Sequence, residues 1–141
     1  MIFREAKIED IPAVSEIRLS VTENVLSDPR KVTPEIVALY ISVSGKGWLC
    51  EVNGEVVGFS IASLKDASIW ALFVKPGYEG KGIGTTLLKL ATAWLFDMGA
   101  SSISLSTGAN TRADKVYERQ GWTRGDVNSD GEVSYLLPRS S

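Results

Sequence analysis

Apolar and polar positions change period several times along the chain, and each change marks an element. Ile2-Phe3-Arg4-Glu5-Ala6 is short and leans apolar, which predicts a strand. Glu9-Asp10 followed by Pro12 predicts the first turn of a helix, since proline is tolerated there and carboxylates suit its positive end. Ile11, Val14, Ile17 and Val21 then recur at helical spacing, one apolar stripe against a core. The stretch Glu23 to Lys31 breaks the pattern, with Ser27-Asp28-Pro29 as a turn signal. Thr33-Pro34-Glu35 reads as the N-cap and first two positions of a second helix carrying Ile36, Val37 and Tyr40, which stops near Gly45.

Strand-like patterns follow. Trp48 to Val52 and Val56 to Leu64 flank Asn53-Gly54, a hairpin signal because a type I′ turn needs positive φ at both central residues. Ser68-Ile69-Trp70-Ala71-Leu72-Phe73-Val74 is apolar nearly throughout, so both faces of that strand should be covered. Pro76 to Gly84 is a glycine-rich loop. Leu87, Leu88, Ala91, Leu95 and Met98 then mark a long helix ending at Gly99. Ser102 to Thr107 alternates, with Ile103 and Leu105 inward. Asn110 or Thr111 can cap a helix whose Ala113, Val116, Tyr117 and Gln120 share a face, with Gly121 past its end. Trp122-Thr123-Arg124, the turn Asn128-Ser129-Asp130-Gly131, and alternating Val133, Tyr135 and Leu137 close the chain as a strand pair. Helices interleaved with strands and hairpins predict an α/β domain on a mixed sheet, with residues 1–141 as one domain.

Composition narrows the chemistry. Fifteen basic against seventeen acidic residues give a formal charge of −2, with no basic surplus for a nucleic-acid backbone. The four tryptophans lack interleaved basic residues and read as core. The sequence contains no histidine, which excludes Ser-His-Asp and Cys-His nucleophiles and imidazole metal sites; no metal is expected. The single cysteine, Cys50, cannot form an internal disulfide or a zinc cluster and fits a reducing compartment. Met1 runs into Ile-Phe-Arg-Glu without a leader pattern, and no apolar run nears the roughly 18 residues of a membrane span. The expectation is a cytoplasmic protein without a membrane or nucleic-acid partner.

Glu79-Gly80-Lys81-Gly82-Ile83-Gly84 lies between a buried strand and a long helix. Its alternate glycines let backbone N–H groups approach an anion, and the helix start adds unsatisfied donors and a positive dipole end. Lys81 adds a mobile charge. The Walker pattern and the dinucleotide fingerprint both fail here, the first for want of GKS or GKT, the second because the loop is GxGxG and falls mid-chain. Taken alone, the loop is equally a plain strand-to-helix turn.

Leu72-Phe73-Val74-Lys75-Pro76, Gly80-Lys81-Gly82-Ile83-Gly84, and Asn110 followed seven positions later by Tyr117 and then by Gly121-Trp122 together resemble the GNAT superfamily of N-acetyltransferases. The resemblance spans almost the whole chain. It implies a mixed, mostly antiparallel sheet of about seven strands flanked by about four helices, with a splayed cleft for acetyl-CoA. It further implies that the pantetheine arm lies along Leu72-Phe73-Val74, bonded to the backbone of Leu72 and Val74. The pyrophosphate would rest on the amides of Gly80, Lys81, Gly82, Ile83, Gly84 and Thr85, with Asn110 and Tyr117 reaching the pantetheine and sulfur. Dimerisation, common in that superfamily, leaves no clear mark here.

The implied reaction is direct attack of an amine acceptor on the thioester, with Tyr117 as general acid for the departing thiolate. A tyrosine with an ordinary pKa of ~10 stays protonated at neutral pH and can donate. The base is a departure from the family. Neither Trp70-Ala71-Leu72 nor the strand Ser102 to Thr107 carries a carboxylate where members often have Glu. Glu23, in the segment between the first two helices, is the candidate base or amine anchor; Glu51 or a water chain are alternatives. Glu79 is a second departure, standing where members commonly have Arg or Gln. A rival reading keeps the fold as a non-catalytic acyl-CoA-binding module, favoured by the missing carboxylates and opposed by Tyr117 and Asn110. A third is a generic phosphate-binding domain.

Overall fold

The computed structural model describes residues 1–20, 34–110 and 112–139. In chain order the elements are β1 (Ile2–Glu5), a 3-10 turn (Ile8–Asp10), α1 (Ile11–Ser20), α2 (Pro34–Ser42), β2 (Gly45–Val52), β3 (Glu55–Ser63), β4 (Ser68–Val74), α3 (Ile83–Asp97), β5 (Ser102–Gly108), α4 (Arg112–Arg119), β6 (Thr123–Val127) and β7 (Glu132–Pro138). The predicted elements are all present, with ends displaced by a few residues. The largest displacements are of three residues: β2 starts at Gly45 rather than Trp48, and β6 runs on to Val127 rather than Arg124. Val21, Thr33, Thr111 and the predicted turn at Ser27 to Pro29 lie outside the described residues.

Seven strands form one mixed sheet in the order β1-β2-β3-β4-β5-β7-β6. Asn53 and Gly54 have φ of 52° and 82°, the positive pair that a type I′ turn between β2 and β3 requires. Neighbouring strands are antiparallel except β4 and β5, which α3 connects and which run parallel. Those two strands pair only at Ser68 and Ser104, where the Ser104 N–H also donates to the Ala67 carbonyl at 3.0 Å. Beyond that point they diverge. β5 instead pairs along its whole length with β7, from Ser102 opposite Pro138 to Gly108 opposite Glu132.

The two sheet faces carry separate cores. On one, α3 and α4 bring Leu87, Leu95 and Tyr117 against Val57, Ile103 and Tyr135. On the other, Val14 and Ile17 of α1 and Val37 of α2 pack on Leu49, Phe59, Ile61, Ala71 and Phe73. The apolar run of β4 is explained by this arrangement: Ile69 faces the first core, and Ala71 and Phe73 face the second. Gly58 of β3 lets α3 come down on the sheet. A Cβ there would lie 3.1 Å from both Ile83 Cγ2 and Leu87 Cδ1 and 3.2 Å from the Phe73 carbonyl oxygen.

Candidate active site

The gap between β4 and β5 is where sheet hydrogen bonding stops, and its wall can be read from the register. Phe73 pairs with Phe59, and the Lys75 N–H donates to the Val57 carbonyl at 2.7 Å. The backbone groups of Phe73 and Lys75 therefore point to β3. By alternation, the N–H and C=O of Leu72 and Val74 point the other way, into the gap. A ligand lying there in an extended conformation meets a row of strand donors and acceptors left without sheet partners.

The head of α3 opens beside the same gap. Gly80 and Gly82 have φ of 76° and 83°, and Gly82 is the N-cap of α3 in the left-handed region. A Cβ on Gly82 would find nothing within 4 Å, so that glycine serves backbone conformation and leaves open space outside it. The first helical bond runs from the Thr86 N–H to the Gly82 carbonyl at 3.1 Å, which leaves the amides of Ile83, Gly84 and Thr85 without helical partners. These amides and the positive dipole end can accept an anion. Lys81 is exposed at its rim. The Glu79 carboxylate, instead of facing an anion, accepts from the Gly77 N–H at 2.9 Å and closes its own turn. A diphosphate with an extended amide-bearing arm fits this pairing of loop and gap.

Tyr117 lies on α4, on the same sheet face as α3. Its side chain is buried, with its ring centroid 5.6 Å from that of Tyr135 and 6.0 Å from that of Trp122. Among the described residues it has ring contacts but no hydrogen bond. Burial, with Tyr135 adding, pushes its phenol well above the ordinary tyrosine range, so this group holds its proton at every physiological pH. Asn110 is exposed at the β5–α4 junction with φ of 64°.

What holds that junction is a residue the sequence reading passed over. Asp114, 6% exposed, accepts from the Asn110 N–H at 2.8 Å and from Arg124 of β6 at 3.1 and 3.2 Å. The single O–H of Tyr135 in β7 is shared between the same carboxylate and the Asp114 carbonyl. Arg124 first, then Tyr135 and the Asn110 amide, hold this carboxyl well below the usual range against the opposing effect of burial. Burial and Asp114 together push the Tyr135 phenol up to about 12. A carboxylate one helical turn before Tyr117, on the apolar side of an amphipathic helix, was the available signal. Likewise Gln120 donates to Thr85 Oγ1 at 2.9 Å, tying the end of α4 to the first turn of α3.

The remaining candidates separate. Glu23 lies outside the described residues. Glu51 accepts from Arg4 at 2.8 Å in a network with Asp10 at the β1–β2 edge, and is committed there. Cys50 is fully buried, and its thiol is pushed up by burial, which suits packing rather than acyl transfer. Among the described residues no cluster of three or more His, Cys, Asp or Glu could hold a metal, and no helix is long and apolar enough to cross a membrane.

Comparison with known proteins agrees with this geometry. A sequence model of the acetyltransferase (GNAT) family matches residues 13–122. An uncharacterized N-acetyltransferase of Methanocaldococcus jannaschii is 33% identical over 90 residues, 57% of this chain and 40% of that protein; the match thus spans two-fifths of that relative's length. The PaiA N-acetyltransferase of Thermoplasma acidophilum, solved in complex with coenzyme A, superposes with a TM-score of 0.83 at 19% identity over 98% of each chain. The ribosomal-protein-S18-alanine N-acetyltransferase of Escherichia coli superposes at 0.79 with 21% identity, over 99% of this chain and 94% of that one. At these identities the two solved structures establish likeness of fold.

Proposed function

The chain belongs to the acetyltransferase (GNAT) family, and on that premise we propose that it transfers an acetyl group from acetyl-CoA to a primary amine by direct attack. One juxtaposition carries this reading. The backbone groups of Leu72 and Val74 face the gap, the head of α3 follows β4 across the glycine loop, and the Tyr117 phenol, which keeps its proton, sits on α4 on the same sheet face as α3.

Acetyl-CoA, when bound, supplies an activated thioester. Leu72, Phe73 and Val74 form the strand that orients its arm, as a further strand would be held. Gly80 to Thr85 take the diphosphate through backbone N–H groups, with Lys81 adding charge and Asn110 bordering the arm from the start of α4. A strand N–H facing the gap, that of Leu72, stabilises negative charge developing on the carbonyl oxygen. Tyr117 donates its proton to the leaving sulfur, a contribution of roughly 10²–10⁴-fold for a positioned acid.

The acceptor must arrive with its amine neutral. A lysine-like amine of pKa ~10.4 pays roughly 4–5 kcal/mol at pH 7, whereas an α-amine of pKa ~7.7–8.0 costs only about 1 kcal/mol. With no carboxylate in the sequence of β4 or β5, the site suits an acceptor of the second kind, such as a peptide N-terminus. The E. coli protein of similar fold is named for acetylating an alanine of a ribosomal protein, which agrees. Glu23 is proposed to take or relay the remaining proton. The non-catalytic module is disfavoured, since the similar proteins are named N-acetyltransferases.

A thiol-release assay against a panel of amines, with calorimetry of coenzyme A binding, tests the proposal. Turnover with at least one amine is expected, and Tyr117→Phe should retain binding while losing most of kcat. Binding without thiol release from any amine would support the module instead.

A further inference from the structure

Tyr40 of α2 and Trp70 of β4 lie face to face, their ring centroids 4.1 Å apart and their planes 16° from parallel. The place of this pair in the fold is specific. Ala71 pairs with Ile61 and Ile69 with Ala62, so Trp70 is the extra residue of a bulge in β4. A bulge re-aims a side chain, and here Trp70 and its neighbour Ala71 both pack toward the core under α1 and α2. Trp70 is two residues past Ser68, where pairing with β5 ends, and two before Leu72, whose N–H faces the gap. The stack therefore stands at the root of the gap, on the face opposite α3 and Tyr117. Both residues are only half-buried.

That location has a consequence for the acceptor, resting on the acetyl-transfer reading above. On that reading the donor's diphosphate and sulfur are held from the α3–α4 face, which leaves the α1–α2 face for the nucleophile's approach to the thioester carbonyl. There it meets Trp70. We infer that the Tyr40–Trp70 stack is the platform on which the acceptor's substituent rests, and that the acceptor carries an aromatic or large apolar group within a few bonds of its reacting nitrogen. Two stacked rings offer large, rigid contact area at low cost in side-chain entropy. The side chains packed around them, Ile61, Ala71 and Phe73 among them, are apolar, and β4 and β5 contribute no carboxylate to pair with a second positive charge. Shielding by the rings also withdraws water from the amine, which lowers its pKa and favours the neutral nucleophile.

The test uses two matched pairs of acceptors, phenethylamine with ethylamine and Phe-Gly-Gly with Gly-Gly-Gly, assayed by thiol release in the wild-type protein, Trp70→Ala, Trp70→Phe and Tyr40→Leu. The aromatic member of a pair is expected to have the higher kcat/KM in the wild type, by about tenfold for a well-seated aromatic contact. Trp70→Ala should bring that ratio close to one and Tyr40→Leu should reduce it. Trp70→Phe, which keeps a ring, should retain most of it, and KM for acetyl-CoA should not move in any variant. A wild-type ratio near one, or a ratio unchanged in Trp70→Ala, overturns the platform while leaving acetyl transfer standing. Failure of the wild type both to bind coenzyme A in calorimetry and to release thiol with any amine overturns acetyl transfer itself, and the platform with it.

Discussion

Replacing Asp114 by asparagine perturbs the junction on which Asn110 and Tyr117 both depend. The carboxylate is 6% exposed and takes hydrogen bonds from Asn110, Arg124 and Tyr135. Asparagine has nearly the same shape but brings an N–H₂ group, so one of those donors must face another donor. Hydrogen bonds to a charged group are worth about 1.5–3 kcal/mol, and breaking a buried ion pair costs about 3–5 kcal/mol. Arg124 is one-third exposed and regains water, which discounts the upper figure. A loss of about 3 kcal/mol follows, or roughly 10 °C in Tm for a domain of this size. Urea unfolding followed by tryptophan fluorescence measures it. The pH dependence supplies a second readout. Because folding lowers the Asp114 pKa, its contribution is present above the unfolded carboxylate value of ~3.9 and is lost as pH falls through the folded value. The gap in stability between wild type and Asp114→Asn should hold from pH 7 to about 5 and narrow as the pH drops below about 4. A variant within about 0.5 kcal/mol of wild type at pH 7, the range of a bland surface change, would refute the clamp. A gap that does not depend on acid would refute its electrostatic origin.

Three further outcomes follow from the geometry. Gly58→Ala places a methyl 3.1 Å from Ile83 and Leu87 and should cost about 1–3 kcal/mol in chemical denaturation, with weaker coenzyme A binding because the head of α3 is displaced. Glu79→Gln keeps an acceptor for the Gly77 N–H while removing a charge near the diphosphate site, and should tighten coenzyme A binding about two- to threefold by calorimetry. Glu79→Arg loses the acceptor too, so it should gain less than its charge suggests. The Tyr117 phenol stays protonated far into base, so kcat should show no basic limb from this group below about pH 10; a limb near pH 8 that vanishes in Tyr117→Phe would contradict its burial.

Much of the fold was legible because it depends on local rules. Asn53-Gly54 demands positive φ twice, and the apolar run at Ile69 to Val74 demands cover on both faces; both demands are met. The glycine loop was legible in the same way, and Gly80 and Gly82 do take positive φ, whereas the pairing of Asn110 with Tyr117 was read from the family resemblance. What was not legible depends on register and on distant pairs. The bulge that turns Trp70 toward Tyr40 leaves no compositional trace, since any apolar residue fits the pattern there. Asp114 carries no sequence signal beyond its place one turn before Tyr117, and only the return of β6 and β7 brings Arg124 and Tyr135 to it, 10 and 21 residues away in sequence. Glu79 stood out in the sequence only as a departure from the family pattern, because its bond to Gly77 is a matter of loop conformation.

A structure of the protein with coenzyme A bound tests the central claim most directly. The diphosphate is expected on the amides of Gly80 to Thr85, the arm bonded to the backbone of Leu72 and Val74, and the sulfur within hydrogen-bond reach of the Tyr117 hydroxyl. Coenzyme A bound elsewhere, or a sulfur placed across the sheet from Tyr117, would contradict it.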